Sequence, residues 1–164
     1  MNKEEFSWLK QNLPNMTTVE VNPDSITPIP KLVRRCKFAS VHFYFLKIDM
    51  QLPVPPRIHL LFLDFGVRRW DYYRAVSNDS LMRKVIPGIR RAYLRELLAL
   101  AEMRPEMIKP DQEIAACGTV TNPLVPDFEV PMLLRDHNGL HLGLADGGAR
   151  HAGYETMLYA VPLG

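Results

Sequence analysis

The sequence predicts an α+β domain: a mainly antiparallel sheet with one long, kinked helix packed across it and a short helix at the N-terminus. Three observations carry this. Asp79 to Met103 is a long amphipathic segment. Val41 to Ile48 and Ile58 to Phe65 are dense in β-branched and aromatic residues, which suit a pleated, buried surface. Gly139 to Ala145 places Leu140, Leu142 and Leu144 at alternate positions, the period of a sheet with one buried face. A helix with an apolar stripe and strands of this kind must cover each other. The 164 residues, 47% apolar and 23% charged, are read as one domain, 1–164, with enough material for a core and too little charge for disorder.

In chain order, Met1 to Leu13 reads as a short amphipathic helix with Phe6, Leu9 and Leu13 on one side. Thr17 to Val21 reads as a strand, and Asn22 to Pro30 as a loop of turn residues. Lys31 to Lys37 is a basic connector or the start of the next strand. The segments 41–48 and 58–65, joined by the proline-rich MQLPVPPR, form an antiparallel hairpin of central strands.

On a helical projection of 79–103, Leu81, Met82, Val85, Ile86, Ile89, Ala92, Tyr93, Leu97 and Leu100 share one side, and Arg83, Lys84, Arg90, Arg91 and Arg95 the other. Asp79 or Ser80 can cap its start and Pro105 helps close its end. Pro87-Gly88 forces a kink or break, with a longer helix following from about Gly88. Glu113 to Thr121 and Phe128 to Arg135 read as strands, the latter demoted to an edge or bulge by Pro131. Tyr154 to Val161 can pair back on 139–145. The fourteen prolines suit short, interrupted strands.

No apolar run approaches the ~20 residues that span a bilayer, and the N-terminus lacks the apolar stretch of a signal peptide. Two distant cysteines, Cys36 and Cys117, make no disulfide framework, so a soluble, cytoplasmic protein is expected. Net charge is +2, but unevenly spread. Residues 57–95 hold nine Arg/Lys against three Asp, whereas 105–164 hold three basic residues against eight acidic ones. That asymmetry steers an anionic partner to the middle of the chain or lets copies of the chain associate.

The leading functional expectation is a non-catalytic binding or accessory protein. Its basic, aromatic surface would comprise Arg68, Arg69, Trp70, Arg74, Arg83, Arg90, Arg91, Arg95 and Arg150, and its partner would be an acidic protein or a nucleic acid. The alternative is a small enzyme. Glu96, in the middle of the apolar helix stripe, would serve as general acid or base, and an arginine such as Arg57 or Arg150 would hold a carboxylate substrate. The plainer account of Glu96 is an ion pair with an arginine of the sheet.

Two further arrangements are candidates for catalysis. His42 and Asp64 would face each other if the hairpin were symmetric. His141 lies on the non-leucine face of its strand, near Asp146, Arg150 and His151. No metal site and no cofactor are expected, because no zinc spacing, phosphate loop or dinucleotide fingerprint is present. Cys117 falls in a strand, which favours a small buried residue over a nucleophile. The segment HLGLADGGARHAG resembles the histidine strand of NlpC/P60-type cysteine peptidases over about thirteen residues, but that family's Asp-Cys-Ser/Gly turn is absent, so membership is not inferred.

Overall fold

In the computed structural model, residues 17–47, 54–64, 80, 82–84, 86–110, 112–116, 118–119, 129–146 and 156–162 are described. The elements run β1 (Thr17–Val21), α1 (Ile29–Arg35), β2 (Ser40–Val41), a 3-10 turn (Phe43–Leu46), β3 (Ile58–Asp64), β4 (Arg90–Arg91), α2 (Leu94–Met103), a second 3-10 turn (Pro105–Met107), β5 (Glu113–Ala115), β6 (Glu129–Asp136), β7 (Gly139–Asp146) and β8 (Thr156–Pro162). The strands form one sheet in the order β1-β3-β8-β5-β6-β7-β2, with β4 also on β8. Pairing is antiparallel except for β5 on β8 and β2 on β7. The fold is α+β with an antiparallel-rich sheet, as the sequence predicts. Among the described residues no helix is long and apolar enough to cross a membrane.

β3 shows why a continuous apolar run becomes a central strand. Ile58, Leu60 and Phe62 bury one face, and Leu61 is buried on the other, where His59 nearer the start stays exposed. Its partners are β1 and β8. β8 in turn shares its other edge between two short strands: β5 lies parallel to it at Thr156 and Met157, and β4 antiparallel at Tyr159 and Ala160.

The segment 79–103 does break at Pro87-Gly88, but the second helix begins later than expected. Gly88 takes a left-handed φ of 79°, which glycine adopts without a Cβ penalty. Arg90 and Arg91 then extend and join the sheet, and the Ala92 N–H donates to the Leu158 carbonyl at 2.9 Å. After the break the chain is α-helical again only from Leu94, ending before Pro105 as expected. Residues 94 to 101 of α2 are all buried, so this helix is enclosed on every side rather than laid on the sheet by one stripe. Leu97, Leu98 and Leu100 contribute roughly 1.5–3 kcal/mol each by leaving water.

Four other expectations are corrected. Lys31 to Lys37 is neither connector nor strand but most of α1, whose Ile29, Leu32 and Val33 are buried. Proline in the first turn of this helix leaves no intrahelical bond unmade. Of the expected strand Val41 to Ile48, described as far as Lys47, only Val41 is strand and Phe43–Leu46 turns 3-10: the His42 side chain accepts from the Tyr44 N–H, and Phe45 faces inward while Phe43 and Leu46 face out. Three-residue spacing of the two outward side chains is the 3-10 period, not the strand period. The hairpin with β3 is therefore absent, since β2 pairs β7 instead. β8 does not pair back on β7; it inserts between β3 and β5.

Pro131 sits in an interior strand. Its carbonyl accepts from the Ala116 N–H at 3.0 Å, one residue past the end of β5, where its missing N–H interrupts no longer ladder. The N-terminal segment 1–13 lies outside the described residues.

Candidate functional site at the β2–β7 edge

The hairpin of β6 and β7 is closed by His137 and Asn138, with Asp136 opposite Gly139. Gly139 has φ 129°, which an L side chain rarely adopts, and Asp136 Oδ1 accepts from the Asn138 N–H at 2.7 Å. Alternation then sorts the strands. Leu140, Leu142 and Leu133 turn to the core, and His141, Leu134 and Asp136 share the other face. β2 adds a parallel partner that sets Ser40 beside His141. The Ala39 N–H donates to the Leu140 carbonyl and the His42 N–H to the Leu142 carbonyl, fixing that register.

Three side chains from three strands thus meet on one face. Ser40 Oγ lies 2.6 Å from His141 Nδ1, and His141 Nε2 lies 2.8 Å from Asp136 Oδ1. The His141 contact holds the Asp136 carboxyl below its ordinary pKa, helped by the Asn138 N–H. Ser40 is exposed, whereas His141 is largely covered. His141 was legible as a candidate because it lies off the leucine face. Asp136 could have been found from the Asp-His-Asn-Gly turn, which puts it diagonally across the hairpin from His141. Nothing in the sequence announces Ser40, which arrives from a hundred residues away.

The stretch bearing Ser40 also carries two of the four exposed large apolar side chains among the described residues, the others being Ile26 and Met103. Phe43 is 66% exposed and Leu46 46%. Its ring stacks on His42 with centroids 4.6 Å apart, and Phe45 beneath is fully buried. Residues 31–47 contain five basic side chains and no acidic one. Arg35 is spoken for: it forks onto Glu102 with two 2.8 Å bonds and reaches Asp24 at 3.0 Å. Lys31, Arg34, Lys37 and Lys47 are exposed.

The other sequence candidates are dispersed. Glu96 is fully buried and pairs with Arg90 through both carboxylate oxygens, one of them at 2.8 Å. It also accepts from the Tyr93 N–H at 2.8 Å, the third residue of α2 reaching back to the residue before the helix. Arg90 is a residue of the sheet, and its guanidinium lies 4.1 Å from the Tyr93 ring centre. Burial works against its charge, but the Glu96 carboxylate outweighs it, and the Arg90 pKa stands above its ordinary value.

Arg95 is also buried and donates to the Asp24 and Thr27 carbonyls at 2.8 and 2.7 Å, tying the loop before α1 to α2. Arg91 is half-buried in β4, and Arg83 is exposed. Arg57, just before β3, pairs with Glu20 of β1. His42 and Asp64 lie in opposite halves of the sheet, so the expected pair does not form: Asp64 is opposite Thr156. Arg68, Arg69, Trp70, Arg74, Cys117, Arg150 and His151 lie outside the described residues. Among the described residues no cluster of three His, Cys, Asp or Glu side chains is placed to hold a metal.

No protein-family model, curated protein or solved structure matches this chain.

Proposed function

We propose that the protein is a binding module that holds an acidic protein partner through the Lys31–Lys47 edge. The observation that carries this is the pair of outward apolar side chains, Phe43 and Leu46, in a stretch that holds no acidic residue and exposes Lys31, Arg34, Lys37 and Lys47. Buried aromatic anchors with a charged rim are how protein interfaces concentrate affinity and specificity. The reading retains the expected kind of surface, basic with an aromatic anchor, but uses none of the residues expected from sequence. Arg90 and Arg95 are committed inside the fold, which leaves the α1–β2 stretch as the basic face best supported here. Glu96 as acid or base is poorly supported, since its oxygens already serve Arg90 and Tyr93.

Cytoplasmic residence belongs to the same proposal. Its support is cysteine usage: the two cysteines lie far apart in sequence and Cys36 is a free thiol, which suits a reducing compartment.

The test is selection from a displayed library of random peptides at physiological salt. Recovered sequences should combine Asp or Glu with Leu or Phe. They should lose about tenfold affinity or more, which is ~1.4 kcal/mol, against Phe43→Ala or Lys37→Glu. A library that returns no acidic, apolar consensus would sink the proposal. So would complete competition by single-stranded DNA, which would mark a charge-only surface.

A further inference from the structure

The edge that carries the apolar anchors also carries Ser40, His141 and Asp136. We propose that these three form a nucleophilic relay in which Ser40 accepts the acyl group of an activated carboxylic ester. This goes beyond the binding reading and does not rest on it, because it uses different side chains and a different measurement.

The order of the hydrogen bonds follows from what each group can donate. An ionised carboxylate has no proton to give, so Asp136 only accepts. The 2.8 Å contact to His141 Nε2 therefore places the imidazole proton on Nε2. That leaves Nδ1 with a lone pair, and the Ser40 hydroxyl, 2.6 Å away, is the donor. The imidazole is then in the tautomer a general base needs, held by a carboxylate on the far side of the ring. Relative to the familiar serine hydrolase arrangement the two ring nitrogens have exchanged roles, but the order of hydroxyl, imidazole and carboxylate is the same, and the proton moves only from hydroxyl to imidazole. Asp136 is itself oriented by the Asn138 N–H, so the carboxylate is fixed before any substrate arrives.

The chemistry closes with water as co-reactant. Ser40 Oγ attacks the ester carbonyl carbon while its proton passes to His141 Nδ1 and the carbonyl π pair moves to oxygen. The tetrahedral species collapses, the bond to the leaving alkoxide or phenolate breaks, and that oxygen takes the proton from Nδ1. Water then adds to the Ser40 ester by the same route. His141 accepts the water proton and returns it to Ser40 Oγ, and a carboxylic acid leaves. The sum is ester plus water giving acid plus alcohol. Because Ser40 is exposed on a sheet edge, the fitting substrates are small acyl groups on good leaving groups, with acetyl aryl esters the simplest probe.

The experiment uses the full chain with p-nitrophenyl acetate and, separately, a fluorophosphonate reagent, followed by peptide mass spectrometry. Expected is a single modified residue, Ser40, and a labelling rate that rises with pH, since only an unprotonated Nδ1 can take the hydroxyl proton. Ser40→Ala should abolish it. Asp136→Asn, which keeps the turn acceptor and the shape, should slow it about 10²-fold or more, in the range general-base assistance supplies. A merely structural role for Asp136 would change melting but not the pH profile of labelling. Labelling that falls elsewhere, fails altogether, or proceeds at the same rate in Asp136→Asn overturns the proposal. Far-UV circular dichroism of Ser40→Ala, which removes one exposed oxygen, shows that loss of labelling is not loss of fold.

Discussion

The Arg90–Glu96 cluster and the Ser40–His141–Asp136 cluster are built from similar polar side chains and end in opposite states. In the first, a carboxylate with no exposure is consumed by two guanidinium bonds and a backbone N–H. Around it, Arg95 is spent on two carbonyls and Thr119 Oγ1 accepts from the Leu94 N–H at 2.8 Å. In the second, the ring and carboxylate hold each other while the outermost group, a hydroxyl, stays open to water. The interior cluster joins α2 to the sheet and to the loop before α1. The edge cluster joins nothing that β2 and β7 do not already join through backbone hydrogen bonds. A buried polar group committed to partners inside the fold is architecture. One held in place with a reactive atom outward is free for chemistry.

The comparison breaks most visibly at Arg90. Arg90→Ala would leave the Glu96 carboxylate buried with the Tyr93 N–H as its remaining partner named here, and removing one half of such a pair costs about 3–5 kcal/mol. Chemical denaturation should show that loss. Glu96→Ala should be milder, because the Arg90 side chain keeps 23% of its exposure and can turn its charge to water. Ser40→Ala, at the other cluster, should leave stability within about 0.5 kcal/mol. If Ser40→Ala destabilises as much as Arg90→Ala, the distinction between the two clusters fails.

Two glycines sharpen the same contrast at smaller scale. A Cβ on Gly118 would lie 2.6 Å from the Arg91 carbonyl oxygen, 2.7 Å from that of Ala92 and 2.8 Å from Tyr93 Cδ1. Two of these are backbone, and the Gly118 N–H donates to the Ala92 carbonyl at 2.9 Å, so neither side has room to yield. Gly118→Ala should cost ~1–3 kcal/mol, the range for overpacking. Gly143 in β7 has nothing within 4 Å of a Cβ, and Gly143→Ala should be neutral or stabilise by up to about 1 kcal/mol. Melting curves of the two variants should move in different directions or by clearly different amounts.

Much of this was readable in the sequence where a single rule decides the outcome. The continuous apolar run of β3, the alternation of β7, the break at Pro87-Gly88 and the stop before Pro105 each follow from one local preference. Glu96 announced itself as a carboxylate needing a partner, and an arginine of the sheet is what it found. What could not be read depends on distant pairing. Arg90 and Arg91 have good helical spacing, but β8, some seventy residues later, offers them backbone partners, and tertiary hydrogen bonds outweigh a propensity worth tenths of a kcal/mol per residue. The same holds for Ser40, whose neighbour across β2 and β7 is fixed by a parallel register that no local pattern encodes. The strand-like VHFYFLKI misleads because a 3-10 turn also buries one aromatic and exposes its flanks.

Acid separates the two regions by their carboxylates. Asp24, beside the α2 anchor, accepts from the Thr27 N–H, the Thr27 hydroxyl, the Ile26 N–H and Arg35, and its pKa lies far below the ordinary carboxylate range. Asp136 is also lowered, by His141 first and the Asn138 N–H second. A carboxyl whose folded pKa is depressed binds fewer protons folded than unfolded. Its stabilisation is therefore complete above the unfolded value of about 4 and is lost as pH falls through the folded one. Stability should decline below about pH 4, and Asp24→Asn, measured by urea unfolding at successive pH values, should flatten that decline while lowering the neutral plateau. Asp136→Asn should flatten it less, since its carboxylate is held from fewer directions at an open edge. Equal flattening by the two would mean that the edge carboxylate is as deeply committed to the fold as the one beside α2, leaving no reserve there for a reaction.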